Sequence, residues 1–286
     1  MTNPSQSLCR DVSEDDLAVY LQELDIYGFS VVKNFLNDET VKFLLNTIEK
    51  KYSELNQKVR ISYGGAPSRD ALDKIIYSIH NYDKVFLDLL VSPLIRSIGI
   101  SKLNDPYYRF LPPELPNYTL QYFNARSSGL ALDLHIDSHI PYISNHLINM
   151  QFVFFLEDST IDNGCTVVVP GSHKSGKYTD RNLKNVNPIQ ARAGDLVFWD
   201  SRIWHGTLEN KLNQSRWALV ATLGQWWIKP SLDLVRGVNP SLYKSCTDEQ
   251  KLLLGFCSVP PVNEFVRNNT KNGYEFLKAK LTDYDF

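Results

Sequence analysis

Ile148-Asn149-Met150-Gln151-Phe152-Val153-Phe154-Phe155-Leu156, then Asp162-Asn163-Gly164, then Cys165-Thr166-Val167-Val168-Val169 closing on Pro170-Gly171-Ser172, is the stretch that decides the fold. Two short runs of β-branched and aromatic residues are divided by residues that favour turns. Their length and their punctuation fit strands better than helices. The same texture begins near residue 117 and recurs at Tyr118 to Asn124, Leu132 to Asp137, Leu196 to Trp199 and Arg216 to Trp226. Ala193-Gly194-Asp195 supplies a further turn. Six to eight such strands predict an antiparallel double-sheet jelly roll.

Towards the N-terminus the period changes. Leu17, Tyr20, Leu21 and Leu24 recur at helical spacing, with Ser13 and Asp16 as starting signals and Gly28 as the stop. Phe29-Ser30-Val31-Val32 reads as a short strand. Asn37 can cap a second helix, whose apolar stripe is Val41, Leu44, Leu45, Ile48 and Tyr52. Residues 56–72, with Gly64-Gly65-Ala66-Pro67-Ser68, read as an exposed loop, and 70–100 as a further helical region. Residues 240–286 return to helical or irregular texture. The expected class is mainly β with flanking helices around a double-stranded β-helix (jelly roll, cupin-like). It forms one domain: a helical part with a short strand to about 116, the core at about 117–230, and a tail at about 231–286.

Composition narrows the function. A length of 286 residues with 43% hydrophobic and 22% charged content is that of a globular enzyme with a sizeable core. A formal net charge of −2 and the lack of a basic run point away from nucleic acid. Cys9, Cys165, Cys246 and Cys257 show no CxxC spacing, so free thiols in a reducing compartment are expected. Neither a secretory leader pattern nor an apolar run of membrane-spanning length is seen, and a cytoplasmic location is the expectation.

Within the β region, His135 and Asp137 stand two apart, on one face of a strand. His205 follows from a distant strand in Trp204-His205-Gly206-Thr207. Two imidazoles and one carboxylate with no fourth ligand form a facial triad, the set that holds non-haem Fe(II) with open positions. A buried Asp137–His205 ion pair is the plainer alternative.

Residues 20–227 resemble the phytanoyl-CoA dioxygenase (PhyH) family of Fe(II)/2-oxoglutarate-dependent oxygenases. The resemblance rests on Tyr27-Gly28-Phe29-Ser30-Val31-Val32, His135-x-Asp137 and the segment from Asp162-Asn163-Gly164 to Pro170-Gly171-Ser172-His173-Lys174. It continues through Ala193-Gly194-Asp195-Leu196 and His205-Gly206-Thr207 to Arg216. It implies Fe(II), 2-oxoglutarate as co-substrate and dioxygen, with His135, Asp137 and His205 as metal ligands and catalytic centre. Arg216, eleven residues after His205, has the spacing the family uses for its co-substrate anchor. A guanidinium fork suits a carboxylate, and a surface Arg at a strand end is the alternative.

Thr207 shares the face of His205 and can add a hydroxyl bond to the same carboxylate. Gln121, Asn149 and Gln151 interrupt apolar strands, either lining the pocket, with Gln121 and Gln151 as co-substrate contacts, or facing solvent. Trp199, Trp204, Trp226 and Trp227 are read mainly as core, with substrate stacking open for one. His173 is read as turn chemistry, His139 and His146 as candidate substrate contacts, and His80 as incidental.

The resemblance implies hydroxylation of a small organic substrate, a polar metabolite or natural product, with release of succinate and carbon dioxide. The carboxylate of Asp137 disfavours halogenation, because halogenating relatives carry a small residue there. The alternatives are a non-catalytic metal-binding jelly-roll module and a zinc hydrolase. The expected partner is the small-molecule substrate alone, with no nucleic acid, no membrane and no obligate protein partner.

Overall fold

The computed structural model describes residues 7–55, 74–108, 111–179, 186–212, 214–230 and 232–258. Helix α1 (Glu14–Tyr27) starts where Ser13 accepts a bond from the backbone N–H of Asp16, and Glu14, Asp15 and Asp16 complement its N-terminal dipole. It stops at Gly28, whose φ of 88° is left-handed and whose N–H returns to Leu24. Strand β1 (Phe29–Val32) follows. Asn37 then caps α2 (Asp38–Glu54), accepting from the Thr40 N–H at 2.8 Å.

The remaining strands are β2 (Lys74–Ile76), β3 (Thr119–Ser127), β4 (Leu132–His135), β5 (Asn149–Phe155) and β6 (Thr166–Val168). They are completed by β7 (Asn187–Ile189), β8 (Leu196–Asp200), β9 (His205–Thr207) and β10 (Ala218–Gly224). One sheet has the order β1-β8-β5-β10-β3-β2 and the other β4-β9-β6-β7. This is the jelly-roll core, mainly β with flanking helices.

The region expected to be helical over 70–100 is only partly so. Helices occupy Val85–Leu90 and Pro93–Leu103, but Lys74–Ile76 pairs antiparallel with Ala125–Ser127 as an added edge strand. Three residues carry too little pattern to declare a strand, and the pairing with β3 decides it. The loop expected over 56–72 and the end of the tail beyond 258 lie outside the described residues. Short helices at Pro240–Ser245 and Asp248–Leu253 occupy the described part of the tail.

The chain forms two compact units. The first comprises Met1–Ser78, Phe123–Asn145 and Met150–Ala221. Its core joins Val153 and Phe155 of β5, Val168 of β6, Ile189 of β7, Val197 and Trp199 of β8, and Ala218 of β10. Val153 stands opposite Val197, and Gln151 opposite Trp199, so all four share one face. Phe152 and Phe198 stack on the other, 5.8 Å apart. Both faces of β5 are covered, which explains its nearly unbroken apolar run.

The second unit comprises Ile79–Tyr122, His146–Asn149 and Thr222–Phe286. Within it Arg96 pairs with Glu249 at 2.9 Å, and Asn81 bonds the Gly237 carbonyl at 3.0 Å. No helix among the described residues is long and apolar enough to cross a membrane. All four cysteines are free and buried.

Two separate sequence motifs meet at the end of α1. The N–H of Gly171 donates to Tyr27 at 2.8 Å, and His173 in the following 3-10 turn packs on Gly28. A Cβ on Gly28 would lie 2.5 Å from His173 Nδ1. The backbone N–H of Asp200 donates to the Gly28 carbonyl at 2.9 Å. His173 thus ties the turn to the helix end.

Candidate metal centre

Strand β4 pairs with β9 so that Leu132 faces Thr207 and His135 faces His205. Asp133 and Leu134 therefore stand against the single residue Gly206, a β-bulge that re-aims the end of β4. The next residues leave the strand, and the N–H groups of Asp137 and Ser138 both donate to the Ser201 carbonyl, at 2.9 and 3.0 Å. Ser201 lies in the turn between β8 and β9, so one carbonyl ties the chain of one candidate ligand to that of another.

His135 Nδ1 lies 3.0 Å from the Asp133 carbonyl, and His205 Nδ1 lies 3.0 Å from the Ile203 carbonyl. A carbonyl only accepts, so each bond requires the proton on Nδ1 and leaves the Nε2 lone pair free. The two Nε2 atoms converge on Asp137, 3.7 Å from Oδ1 for His135 and 3.3 Å from Oδ2 for His205. The candidate ligand atoms of His135, Asp137 and His205 all lie within 4.8 Å of one another. The rings of His135 and His205 are 4.2 Å apart at 48°. Burial lowers the pKa of His205, with Asp137 opposing, which favours the neutral, metal-binding imidazole. Two nitrogens and one carboxylate oxygen with pre-set tautomers fit a divalent first-row metal with open positions.

Arg216 precedes β10 and is held on several sides. Its N–H donates to Ser127 Oγ at 2.9 Å and its Nε to the Ser128 carbonyl at 3.2 Å. On either side, Glu157 accepts from Ser215 Oγ at 3.0 Å and from the Trp217 N–H at 2.7 Å. Burial pushes the Arg216 pKa down to about 10, with the Cys165 thiol opposing. Among the described residues no carboxylate pairs with its guanidinium. A partly buried cation without an anion is costly and suits an anionic ligand.

Thr207 lies on the His205 face, and its Oγ1 accepts from the Leu132 N–H at 3.1 Å, leaving the hydroxyl hydrogen to donate. Gln151 is 1% exposed and Gln121 7%, so neither sits on a solvated sheet face. Gln151 stands on the inner face opposite Trp199, in the unit that holds the triad. Gln121, in the second unit, donates to Thr119 Oγ1 at 3.1 Å and packs on Gly224. Asn149 is half-buried with its Oδ1 lacking a described partner. His139 is exposed with a φ of 65°, and His146 is exposed. His80 is fully buried and neither ring nitrogen has a described partner.

Three features escape sequence reading. Glu157 frames Arg216 from about sixty positions away in the chain. The Asp200–Arg202 pair reaches Ser144, in the loop that leaves Asp137. The indole N–H of Trp199 points at Asp137 Oδ2, 3.4 Å away, while its ring lies 5.0 Å from that of His205. Only for Trp199 was there a signal, an aromatic six residues before the second histidine.

The family model described as Phytanoyl-CoA dioxygenase (PhyH) matches residues 24–218. An uncharacterized protein of Mycobacterium tuberculosis, Rv1501, is 28% identical over 257 residues, which is 88% of this chain and 92% of its own. Among solved structures, the non-heme alpha ketoglutarate dependent epimerase SnoN from nogalamycin biosynthesis aligns with a TM-score of 0.57 at 16% identity. That alignment covers 74% of this chain and 84% of SnoN. HygX from Streptomyces hygroscopicus, with nickel and 2-oxoglutarate bound, aligns with a TM-score of 0.58 at 14% identity over 77% of this chain and 90% of its own. At such identities the structural likeness speaks for the fold.

Proposed function

We propose, since this chain belongs to the phytanoyl-CoA dioxygenase (PhyH) family, that it is an Fe(II)/2-oxoglutarate-dependent dioxygenase hydroxylating a small organic substrate. The observation that carries this reading is the pair of imidazoles anchored through Nδ1, with both Nε2 atoms facing one carboxylate. In it, His135, Asp137 and His205 hold the metal. Arg216 grips the distal carboxylate of 2-oxoglutarate, aided by the hydroxyl of Thr207. Gln151, buried on the inner face, serves as a polar contact to co-substrate or substrate. Bound iron and 2-oxoglutarate supply the oxidising chemistry, in which dioxygen places one atom in succinate and one in the product.

The protein's share is to orient and to exclude water. Glu157, Ser127 and Ser128 fix the Arg216 segment before any ligand arrives, so little ordering is left for binding. Within six residues of Asp137 the chain exposes Ile140 and Ile143, 58% and 80% accessible, which supports a natural product with an apolar body. SnoN is an epimerase, so hydroxylation is the simplest outcome of hydrogen removal from a substrate carbon and not the only one the fold hosts.

The test is dioxygen uptake and succinate formation by the Fe(II) protein with 2-oxoglutarate, repeated over a metabolite panel with mass detection of one added oxygen. The expected result is slow succinate release without substrate and faster, coupled release with one class of compound. Iron-loaded protein that consumes no 2-oxoglutarate under any condition would contradict the assignment.

A further inference from the structure

Trp199 has a feature that packing alone does not require. Its ring belongs to the jelly-roll core and is 5% exposed, yet apolar packing alone does not call for an N–H. An indole N–H is a donor only, and a buried donor needs an acceptor. Its described acceptor is Oδ2 of Asp137 at 3.4 Å. Oδ2 is also 3.3 Å from Nε2 of His205, which carries no proton when Nδ1 donates to Ile203 and so offers no hydrogen bond of its own. The indole is thus the described side-chain donor to that oxygen. The same ring lies 5.0 Å from the His205 ring at 52°, touching a second candidate ligand.

We propose that Trp199 is a positioning residue whose indole N–H engages Oδ2 of Asp137 and so keeps this carboxylate a one-oxygen ligand through Oδ1. This rests on the reading of His135, Asp137 and His205 as metal ligands. A carboxylate can offer a metal one oxygen or two. In a six-coordinate centre, two imidazoles and one oxygen leave three positions, two for a chelating 2-oxo acid and one for dioxygen. A second Asp137 oxygen on the metal would take the last of these. A hydrogen bond to Oδ2 competes for its lone pair and fixes the plane of the carboxylate, as outer partners of metal ligands do.

The experiment compares the parent protein with Trp199→Phe, which keeps an aromatic ring in the core and removes the donor. Metal-free protein is titrated with Co(II), and visible absorption is recorded with and without 2-oxoglutarate under anaerobic conditions. The expected result is a loss of Co(II) affinity of roughly ten- to a hundredfold, with a changed ligand-field spectrum in the 2-oxoglutarate complex and an unaltered far-ultraviolet circular dichroism. An affinity and spectrum identical to the parent overturn the proposal. A parent that binds neither Co(II) nor Fe(II) instead overturns the metal centre itself, so the two failures are distinct.

If Trp199→Phe does not fold, the indole-15N-labelled parent answers the question. With Co(II) bound, one of the five indole N–H groups should show a large hyperfine shift and slow solvent exchange. Five indole resonances at their Zn(II) positions overturn the proposal.

Discussion

Arg202 lies across the carboxylate of Asp200, with Nε 3.0 Å from Oδ1 and Nη2 2.6 Å from Oδ2, and both side chains are buried. Its third nitrogen, Nη1, donates to the Ser144 carbonyl at 2.7 Å, and its guanidinium stacks 4.6 Å from the Tyr142 ring. The pair flanks Ser201, whose carbonyl takes the N–H groups of Asp137 and Ser138. One turn thus holds the loop that begins at a candidate metal ligand at two points, Asp137–Ser138 and Ser144.

Breaking one side of that pair leaves a buried charge. Arg202→Met is expected to destabilise the fold by about 3–5 kcal/mol in denaturant titration, and Arg202→Met with Asp200→Asn by less. Amide exchange at Asp137 and Ser138 should accelerate in Arg202→Met. A double-variant cost equal to the sum of those of Arg202→Met and Asp200→Asn alone would show that the two side chains are not coupled.

Gly28 should resist any side chain. Gly28→Ala meets both a φ of 88° and the His173 ring, so a loss of about 1–2 kcal/mol for the backbone plus a contact penalty is expected. Adding His173→Ala should return the contact part and leave the backbone part. Thermal melts of Gly28→Ala, His173→Ala and the double variant separate the two.

His80 sets a pH dependence of folding. Burial lowers its pKa from 6.5 to about 4. Below pH 6.5 the unfolded chain takes up a proton that the folded chain refuses, so stability falls as pH drops towards about 4 and levels off beneath it. The full effect is on the order of 3 kcal/mol. His205 and His173, whose pKa values burial also lowers, contribute in the same direction. His80→Leu, which removes no described hydrogen bond, should flatten part of this slope in urea titrations between pH 7 and 4; an unchanged slope would mean that His80 protonates in the native state.

The first helices were legible because their signals are local. Ser13, Gly28 and Asn37 each act within four residues. Strand β7 was not, since Pro188 argues against a strand, yet it is tolerated at the edge of the four-stranded sheet. Strand β9 is three residues including Gly206, and its pairing on both sides makes it a strand. His135 and Asp137 could be read as a pair, but β4 ends at His135, and Asp137 is set by its bond to the Ser201 carbonyl and not by a shared strand face. Glu157, Ser127 and Arg202 could not be read, because their partners Trp217, Arg216 and Ser144 lie 58 to 89 positions away with no shared periodicity. The polarity of Gln121 and Gln151 was plain, but their burial was set by the other strands that cover them.

Arg216 separates co-substrate binding from metal binding. Loss of a charge-assisted fork is expected to cost on the order of 1.5–3 kcal/mol, so Arg216→Ala should weaken 2-oxoglutarate binding roughly ten- to a hundredfold, and Arg216→Lys less. Metal affinity should hold. Isothermal titration of Fe(II) and then 2-oxoglutarate checks both, and unchanged 2-oxoglutarate affinity in Arg216→Ala would move the anchor elsewhere.

The most direct measurement is anaerobic titration of the Fe(II)-loaded protein with 2-oxoglutarate, following the visible charge-transfer absorption that chelation of a 2-oxo acid to Fe(II) produces. The parent should develop the band and saturate at one equivalent per chain, lose it on exposure to dioxygen as succinate forms, and fail to develop it when Asp137 or His205 is replaced by Ala. A folded, iron-loaded parent that develops no band, or an Asp137→Ala protein that develops it as the parent does, would contradict a 2-oxoglutarate-dependent iron centre at His135, Asp137 and His205.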